Sequence, residues 1–246
     1  MNIYAVIIGT EILNGRRHDK HFEFLKKALV PYGHTLFASF TIKDDPQLIS
    51  TIFQLIKVDE NAVMFSFGGI GSTPDDLTRE IAAEVFTCKP LVRHQQFMHD
   101  IIERFGDDAY PHRIHMADLP EGAELLHNPI NNMSGFFLEQ RFFFVPGFPE
   151  MAHPMVEEAL QRYVRPAQQT HRVTLRAHTS ENTLIDAMQR VPQTIELSSL
   201  PMLCDGKATV ELSLLSCDTR LLEETFVMFE NLLKAEAIAY EILTID

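Results

Sequence analysis

The sequence predicts a doubly wound α/β domain with a mostly parallel sheet over residues 1–165, followed by a smaller α+β domain of ferredoxin-like order over residues 166–246. Three observations predict this. Residues 3–86 alternate short apolar runs with amphipathic segments in the order β-α-β-α-β-α, which demands parallel strands with crossover helices. The runs at 3–8 and 62–67 are apolar without interruption, as strands covered on both faces are. After Arg165-Pro166 the rhythm changes to β-α-β-β-α-β.

The elements follow in order. Residues 3–8 read as a strand stopped at Gly9. Asp19 caps a helix with apolar positions Phe22, Leu25, Ala28 and Leu29, ending near Gly33. A second strand covers 34–42. Asp45-Pro46 is an N-cap with proline at the first helical position, before the apolar face Leu48, Ile49, Ile52, Leu55 and Ile56. A third strand, 62–67, is cut off by Gly68-Gly69. A helix is expected from Pro74 to Phe86, another over 95–105, and a strand over 122–126. Residues 136–138 and 142–145 form a hairpin turning at Glu139-Gln140-Arg141, and a helix follows Pro149. In the second domain, strands are expected at 172–177, 194–200, 208–215 and 240–244. Helices are expected at 181–191 and 219–234, and Asp205-Gly206 marks a turn.

Composition excludes several classes. Lys and Arg total 21 against 34 Asp and Glu, a net charge of −13. That balance argues against a nucleic-acid groove or an anionic membrane as principal partner. Cys88, Cys204 and Cys217 form no CxxC pair, which fits reduced thiols in a cytoplasmic protein rather than structural zinc or a disulfide framework. No leader motif is evident, and no apolar run approaches the roughly 20 residues of a membrane span.

Ligands of a parallel α/β sheet bind outside the carboxyl ends of the strands, which selects the loops after Ile8, Phe67 and Val145. The second is the most informative: Gly68-Gly69-Ile70-Gly71-Ser72-Thr73-Pro74-Asp75-Asp76. Glycines allow backbone N–H groups to approach an anion, and an expected helix N-terminus follows. The plainer alternative is a capping box, Thr73-x-x-Asp76, with Pro74 at the first helical position and Asp75 and Asp76 as helix-start charges. Two carboxylates beside an anion seat suggest a bridging divalent metal. The loop Gly9-Thr10-Glu11 offers a hydroxyl and a carboxylate, and Pro146-Gly147-Phe148-Pro149-Glu150 is a rigid corner. The pairs His18/His21 and His112/His115 match no metal motif and read as solvated surface. No GxSxG element or nucleophilic cysteine setting is present.

Three blocks in the right order resemble the molybdopterin-binding domain of molybdenum-cofactor biosynthesis proteins, and in particular the N-terminal part of the competence/damage-inducible A (CinA-like) group. They are residues 8–15, residues 68–80 (GGIGSTPDDLTRE) and residues 145–151; Asn128-Pro129 and Gly135-Phe136 resemble a further segment. The C-terminal amidohydrolase domain of longer members has no counterpart in these residues. The resemblance implies a pterin-phosphate or nucleotide-pyrophosphate site. Gly9, Thr10, Glu11, Gly68, Gly69, Gly71, Ser72, Thr73, Pro146, Gly147 and Glu150 would contact the ligand. Asp75 and Asp76 would be catalytic, with Asp76 and Glu11 holding a divalent metal (magnesium, manganese or cobalt). It also implies a homo-oligomer such as a dimer. The expected function is metal-assisted hydrolysis of ADP-ribose or a similar dinucleotide. The alternatives are a molybdopterin-binding or adenylylating protein and a non-catalytic nucleotide-binding module. Three departures surround the expected ligand: Lys20-His21 replaces Thr-Asn, Ser72 replaces proline, and Glu150 is displaced by a shorter third block.

Overall fold

The computed structural model describes residues 1–204 and 206–245, so Asp205 of the expected turn lies outside them. The chain divides into two compact units, Met1–Ala167 and Gln168–Asp246.

The first unit opens with β1 (Asn2–Ile8), α1 (Thr10–Leu13), α2 (His21–Leu29), β2 (Leu36–Ile42), α3 (Pro46–Lys57) and β3 (Ala62–Phe67). It continues with α4 (Thr78–Ala82), β4 (Leu91–Arg93), α5 (Gln95–Phe105), β5 (Asp118–Pro120), β6 (Glu124–Leu126), β7 (Gly135–Leu138), β8 (Phe142–Val145) and α6 (Pro149–Tyr163). The main sheet has the order β2-β1-β3-β8-β7-β6. Strands β2, β1, β3 and β8 run parallel; β7 is antiparallel to both of its neighbours.

Side-chain alternation gives the sheet two cores. Tyr4, Val6 and Ile8 of β1 pack with Phe53, Met64, Phe86 and Phe144 on one face. Ile3, Ala5 and Ile7 pack with Phe65, Phe67, Phe143 and Met155 on the other. This is why β1, β3 and β8 are apolar at every position. On the edge strand β2 the pattern reverts to alternation, with Phe37 61% exposed. Asp45 caps α3 by accepting from the Leu48 amide at 2.8 Å. Glu139 and Gln140 both take positive φ, the conformation of a tight hairpin turn between β7 and β8.

Register decides where the loops emerge. Ile8 lies opposite Ile42, Ile7 opposite Phe67, and Phe67 opposite Val145. The chain therefore leaves β1, β3 and β8 at one level of one sheet edge.

Two expectations are corrected. The helix placed at 74–86 begins only at Thr78 and passes into a wider π-turn over Ala83–Thr87. The helix placed at 181–191 is a 3₁₀ turn, Glu181–Thr183, and the four-residue α7 (Ile185–Met188). Polar side chains divert this segment: the Thr179 and Thr183 hydroxyls bond to each other, and Glu181 accepts from the Ser199 hydroxyl. The pair β4–β5 forms a separate two-stranded ribbon that joins residues distant in sequence.

The second unit contains β9 (His171–Ala177), α7, β10 (Glu196–Cys204), β11 (Lys207–Ser216), α8 (Thr219–Ala235) and β12 (Tyr240–Ile245). Its sheet order is β10-β11-β9-β12 with every neighbour antiparallel, and its core joins β9 and β11 to Phe226 and Phe229 of α8.

Gly135 allows β7 to sit against both β8 and α6. A Cβ there would lie 2.4 Å from the Phe144 carbonyl oxygen and 3.3 Å from Met155 Sδ. We expect Gly135→Ala to destabilise the first unit by ~1–3 kcal/mol as an overpacked core does, read as a lower urea midpoint with unchanged slope.

Candidate functional site

The sheet order places β2 on one side of β1 and β3 on the other, so the chain reverses direction of growth at β1 and a crevice opens between the carboxyl ends of β1 and β3. A cleft of about 550 Å³ occupies that crevice.

The loop after β1 is braced from outside. The Thr10 amide and hydroxyl both donate to Asp44 Oδ2 at 2.8 Å, which ties the β1 loop to the segment entering α3. The Glu11 carboxylate folds back over Gly9, where an added Cβ would meet Oε2 at 2.9 Å.

The loop after β3 is held by its own backbone. Gly68 has φ +100 and Gly69 has φ +71, conformations that favour glycine. A Cβ on Gly68 would lie 2.4 Å from the Ile8 carbonyl oxygen, and one on Gly69 would lie 2.3 Å from Thr78 Oγ1. Thr78 fastens the bend, donating its hydroxyl to Gly68 O and its amide to Gly69 O, each at 3.0 Å. Thr73 does not act as a capping acceptor. Its amide and hydroxyl donate instead to Asp76 Oδ2 at 2.8 and 2.6 Å, so residues 73–76 form a closed turn and the helix starts later.

A residue not singled out from sequence holds this loop in place. Arg79 is 8% exposed and donates to three carbonyls: Gly71 at 2.9 Å, Asp118 at 3.1 Å and His115. Burial pushes its guanidinium pKa down, opposed by the nearby charges of Asp76 and Asp118. The carbonyl of Gly71 is thereby tied to the segment of residues 115–118. None of the amides of Gly69, Ile70, Gly71 and Ser72 has a hydrogen-bond partner among the described residues. Four consecutive unpaired N–H groups on a loop that lines an open cleft are available as donors to an anion.

Of the expected ligand residues, Glu11, Gly68, Gly69, Gly71, Ser72 and Thr73 line this cleft, as do Pro146 and Gly147. Asp75 and Asp76 line it too. Gly9 and Thr10 do not; they shape the loop beneath it. Glu150 lies in the first turn of α6 and opens on a separate hollow of about 210 Å³, shared with Lys20 and His21. Phe97, Phe105, Met116, Met133 and Met151 supply an apolar wall, and Asp44, Arg17, Arg104 and Arg113 add charge at its edges. The arginines had no legible signal, because they lie far apart in sequence.

The expected metal site does not fit. Among the described residues no group of three or more His, Cys, Asp or Glu side chains is placed to hold an ion. Asp76 commits Oδ2 to Thr73, and the Glu11 carboxylate lies over Gly9 with Arg17 at 3.8 Å. No step is therefore routed through a metal.

Residues 4–166 match the family model described as "Probable molybdopterin binding domain". The chain belongs to that family. Among its curated relatives are CinA-like proteins of Nostoc punctiforme, 30% identical over 67% of this chain and 41% of the relative, and of Acaryochloris marina, 30% identical over 85% and 52%. The chain thus spans about half the length of these relatives or less. The solved structure of the protein CinA of unknown function from Thermoplasma acidophilum shares the fold, with a TM-score of 0.60 and 24% identity over 67% of this chain and 99% of that one. No helix among the described residues is long and apolar enough to cross a membrane.

Within this molybdopterin-binding domain, His21 departs from its expected place on the surface. It is 3% exposed, stacked on Phe67 at 4.3 Å and edge-on to His153 at 5.4 Å. Its Nε2 lies 3.3 Å from the Gly147 carbonyl oxygen, a contact that suits a protonated Nε2 and a bare Nδ1. The carboxyl end of β3 and the first turns of α2 and α6 meet around it. His18 of the same pair is exposed, as is His115, which pairs with Asp118 at 2.9 Å.

Burial lowers the His21 pKa from 6.5 to about 4. The unfolded chain therefore binds a proton at His21 before the folded chain does. The stabilisation is complete above about pH 6.5 and is lost as pH falls towards 4, up to roughly 3 kcal/mol in all. Thermal melts between pH 7.5 and 4.5 should show a steep fall in Tm, and His21→Phe should flatten it; an unchanged slope in the variant would assign the acid sensitivity to other groups.

Proposed function

We propose that the cleft of the first unit binds molybdopterin, or a nucleotide-linked form of it, through the phosphate. The observation that carries this reading is the run of unpaired amides from Gly69 to Ser72, set at the switch point of the sheet. Such groups can donate to an oxyanion and need no side-chain charge. Arg79 fixes them in advance, so little ordering is required on binding. Phe97, Phe105, Met116 and Met133 support the rest of the reading, since a planar heterocycle finds an apolar wall beside the phosphate seat. Family membership favours the same ligand class.

The carboxylates of Asp75 and Asp76 on the same cleft support a second reading, hydrolysis of a nucleoside diphosphate-linked metabolite such as ADP-ribose. In that reaction a carboxylate orients water towards phosphorus, the anhydride P–O bond breaks, and AMP and ribose 5-phosphate leave. Asp76 commits one oxygen to Thr73 and Glu11 folds over Gly9, which makes it the lesser of the two. We further read the second unit as ferredoxin-like, supported by its β-α-β-β-α-β order and wholly antiparallel pairing.

Calorimetric titration with molybdopterin and with ADP-ribose separates the ligands. We expect molybdopterin to bind, and Gly71→Ala, whose Cβ would fall 2.5 Å from Asp76 Oδ2, to weaken it about tenfold or more by displacing the loop. Binding of ADP-ribose alone would reject the first reading. An AMP-release assay on ADP-ribose with magnesium, manganese or cobalt tests the second. Turnover that disappears in Asp76→Asn would establish it, and no release with any metal would remove it.

A further inference from the structure

The chain carries a surplus of acid, and several of its arginines sit on carboxylates, Arg17 of the cleft on Glu11 among them. Arg93 sits on Asp118, Arg141 on Glu139, Arg162 on Glu158, Arg176 on Glu211 and Glu241, and Arg220 on Glu224. Two arginines of the cleft are exceptions. Arg104, in the last turn of α5, donates to the Asn131 carbonyl at 3.3 Å, and Arg113 donates to the Asp108 carbonyl at 2.8 Å. Neither has a carboxylate partner among the described residues. Both guanidinium groups instead lie against the ring of Phe105, at 5.4 and 4.7 Å from its centroid.

Two like charges over one ring repel each other, and in a chain of net charge −13 carboxylates are plentiful. The arrangement holds two planar donor forks at one edge of the cleft, desolvated on the ring side and open on the other. They line the same cleft as the glycine loop. Arg79 binds Gly71 O and His115 O with one guanidinium, so the turn carrying Arg113 runs beside the free amides.

We infer that Arg104 and Arg113, stacked on Phe105, form a second anion seat, so that the cleft selects a ligand with a second phosphoryl group next to the one on the glycine loop. The inference rests on the phosphate seat proposed above and adds a specificity to it. Planar guanidinium forks take phosphoryl oxygens in pairs, whereas the backbone amides take a single oxyanion; the two seats therefore read different parts of one ligand.

The test uses inorganic phosphate and pyrophosphate as probes, titrated calorimetrically without metal. Wild-type protein should bind pyrophosphate about tenfold more tightly than phosphate, the scale of one added charge-assisted contact. The double variant Arg104→Gln with Arg113→Gln should lose that preference while keeping its phosphate affinity within about twofold. Both side chains are exposed, and a thermal melt confirms the fold. Arg104→Lys with Arg113→Lys should keep part of the preference. A double Gln variant that still favours pyrophosphate, or wild-type protein that binds both probes equally, overturns the second seat alone. Wild-type protein that binds neither probe overturns the glycine-loop seat and this inference together.

Discussion

Arg79 ties the glycine loop to the segment that runs into β5, with Gly71 on one side of its guanidinium and His115 and Asp118 on the other. A buried guanidinium tolerates loss of water only when acceptors replace it, and here three main-chain carbonyls do so, from Gly71, His115 and Asp118. The dependence is mutual. Without the cation, the Gly71 and Asp118 carbonyls would lose this donor, each unpaired group costing about 1–3 kcal/mol, while His115 would keep the Asp118 amide. A lysine, with one compact ammonium, reaches fewer of them at once. The loop therefore owes part of its shape to a side chain on the helix that follows it, which holds the Gly71 carbonyl while the amides of residues 69–72 stay unpaired among the described residues.

The glycines act differently from what an anion cradle alone would require. At Gly68 and Gly69 the atoms in the way of a Cβ are Ile8 O and Thr78 Oγ1, both protein atoms. These positions are glycine so that β3 can end against β1 and turn sharply into Thr78. The donor surface is a consequence of that turn: a chain reversing over two left-handed residues leaves its next amides unpaired. Packing and the proposed seat are thus one geometric event.

Much of this was legible wherever the signal is local. Asp45-Pro46 starts α3, the unbroken apolar run 62–67 is β3, and Glu139-Gln140 turns the hairpin, each decided by residues within a turn of one another. The start of α4 was not, because Thr73 and Asp76 exchange roles: the carboxylate accepts from the threonine, which closes a turn in place of a cap. The β4–β5 ribbon was missed since its strands are three residues long and pair across an intervening helix. His21 read as surface because its own neighbours, Lys20 and Glu23, are charged; Phe67 and His153, which bury it, arrive from other elements. Glu150 failed for the converse reason. The start of α6 carries its carboxylate to another hollow, which Gly147 lines from the other side of the corner.

An acidic protein that binds an anion needs its positive potential to be local. Over more than about 8–10 Å, salt screens the net charge, so what a ligand meets is the field of the groups within one Debye length. In the cleft these are unpaired amides, whose dipoles carry no counter-ion, and guanidinium groups left without carboxylates. Asp75 and Asp76 work against them, yet Asp76 turns one oxygen into the Thr73 hydrogen bonds and so presents less of its charge to the opening. Selectivity follows from the same balance. A weakly charged ligand gains little over solvent in such a mixed field, whereas the ligand proposed above would set its oxyanions against the amides and the arginines and its neutral ring towards Phe97 and Met116, and would meet Asp76 with one oxygen already committed to Thr73.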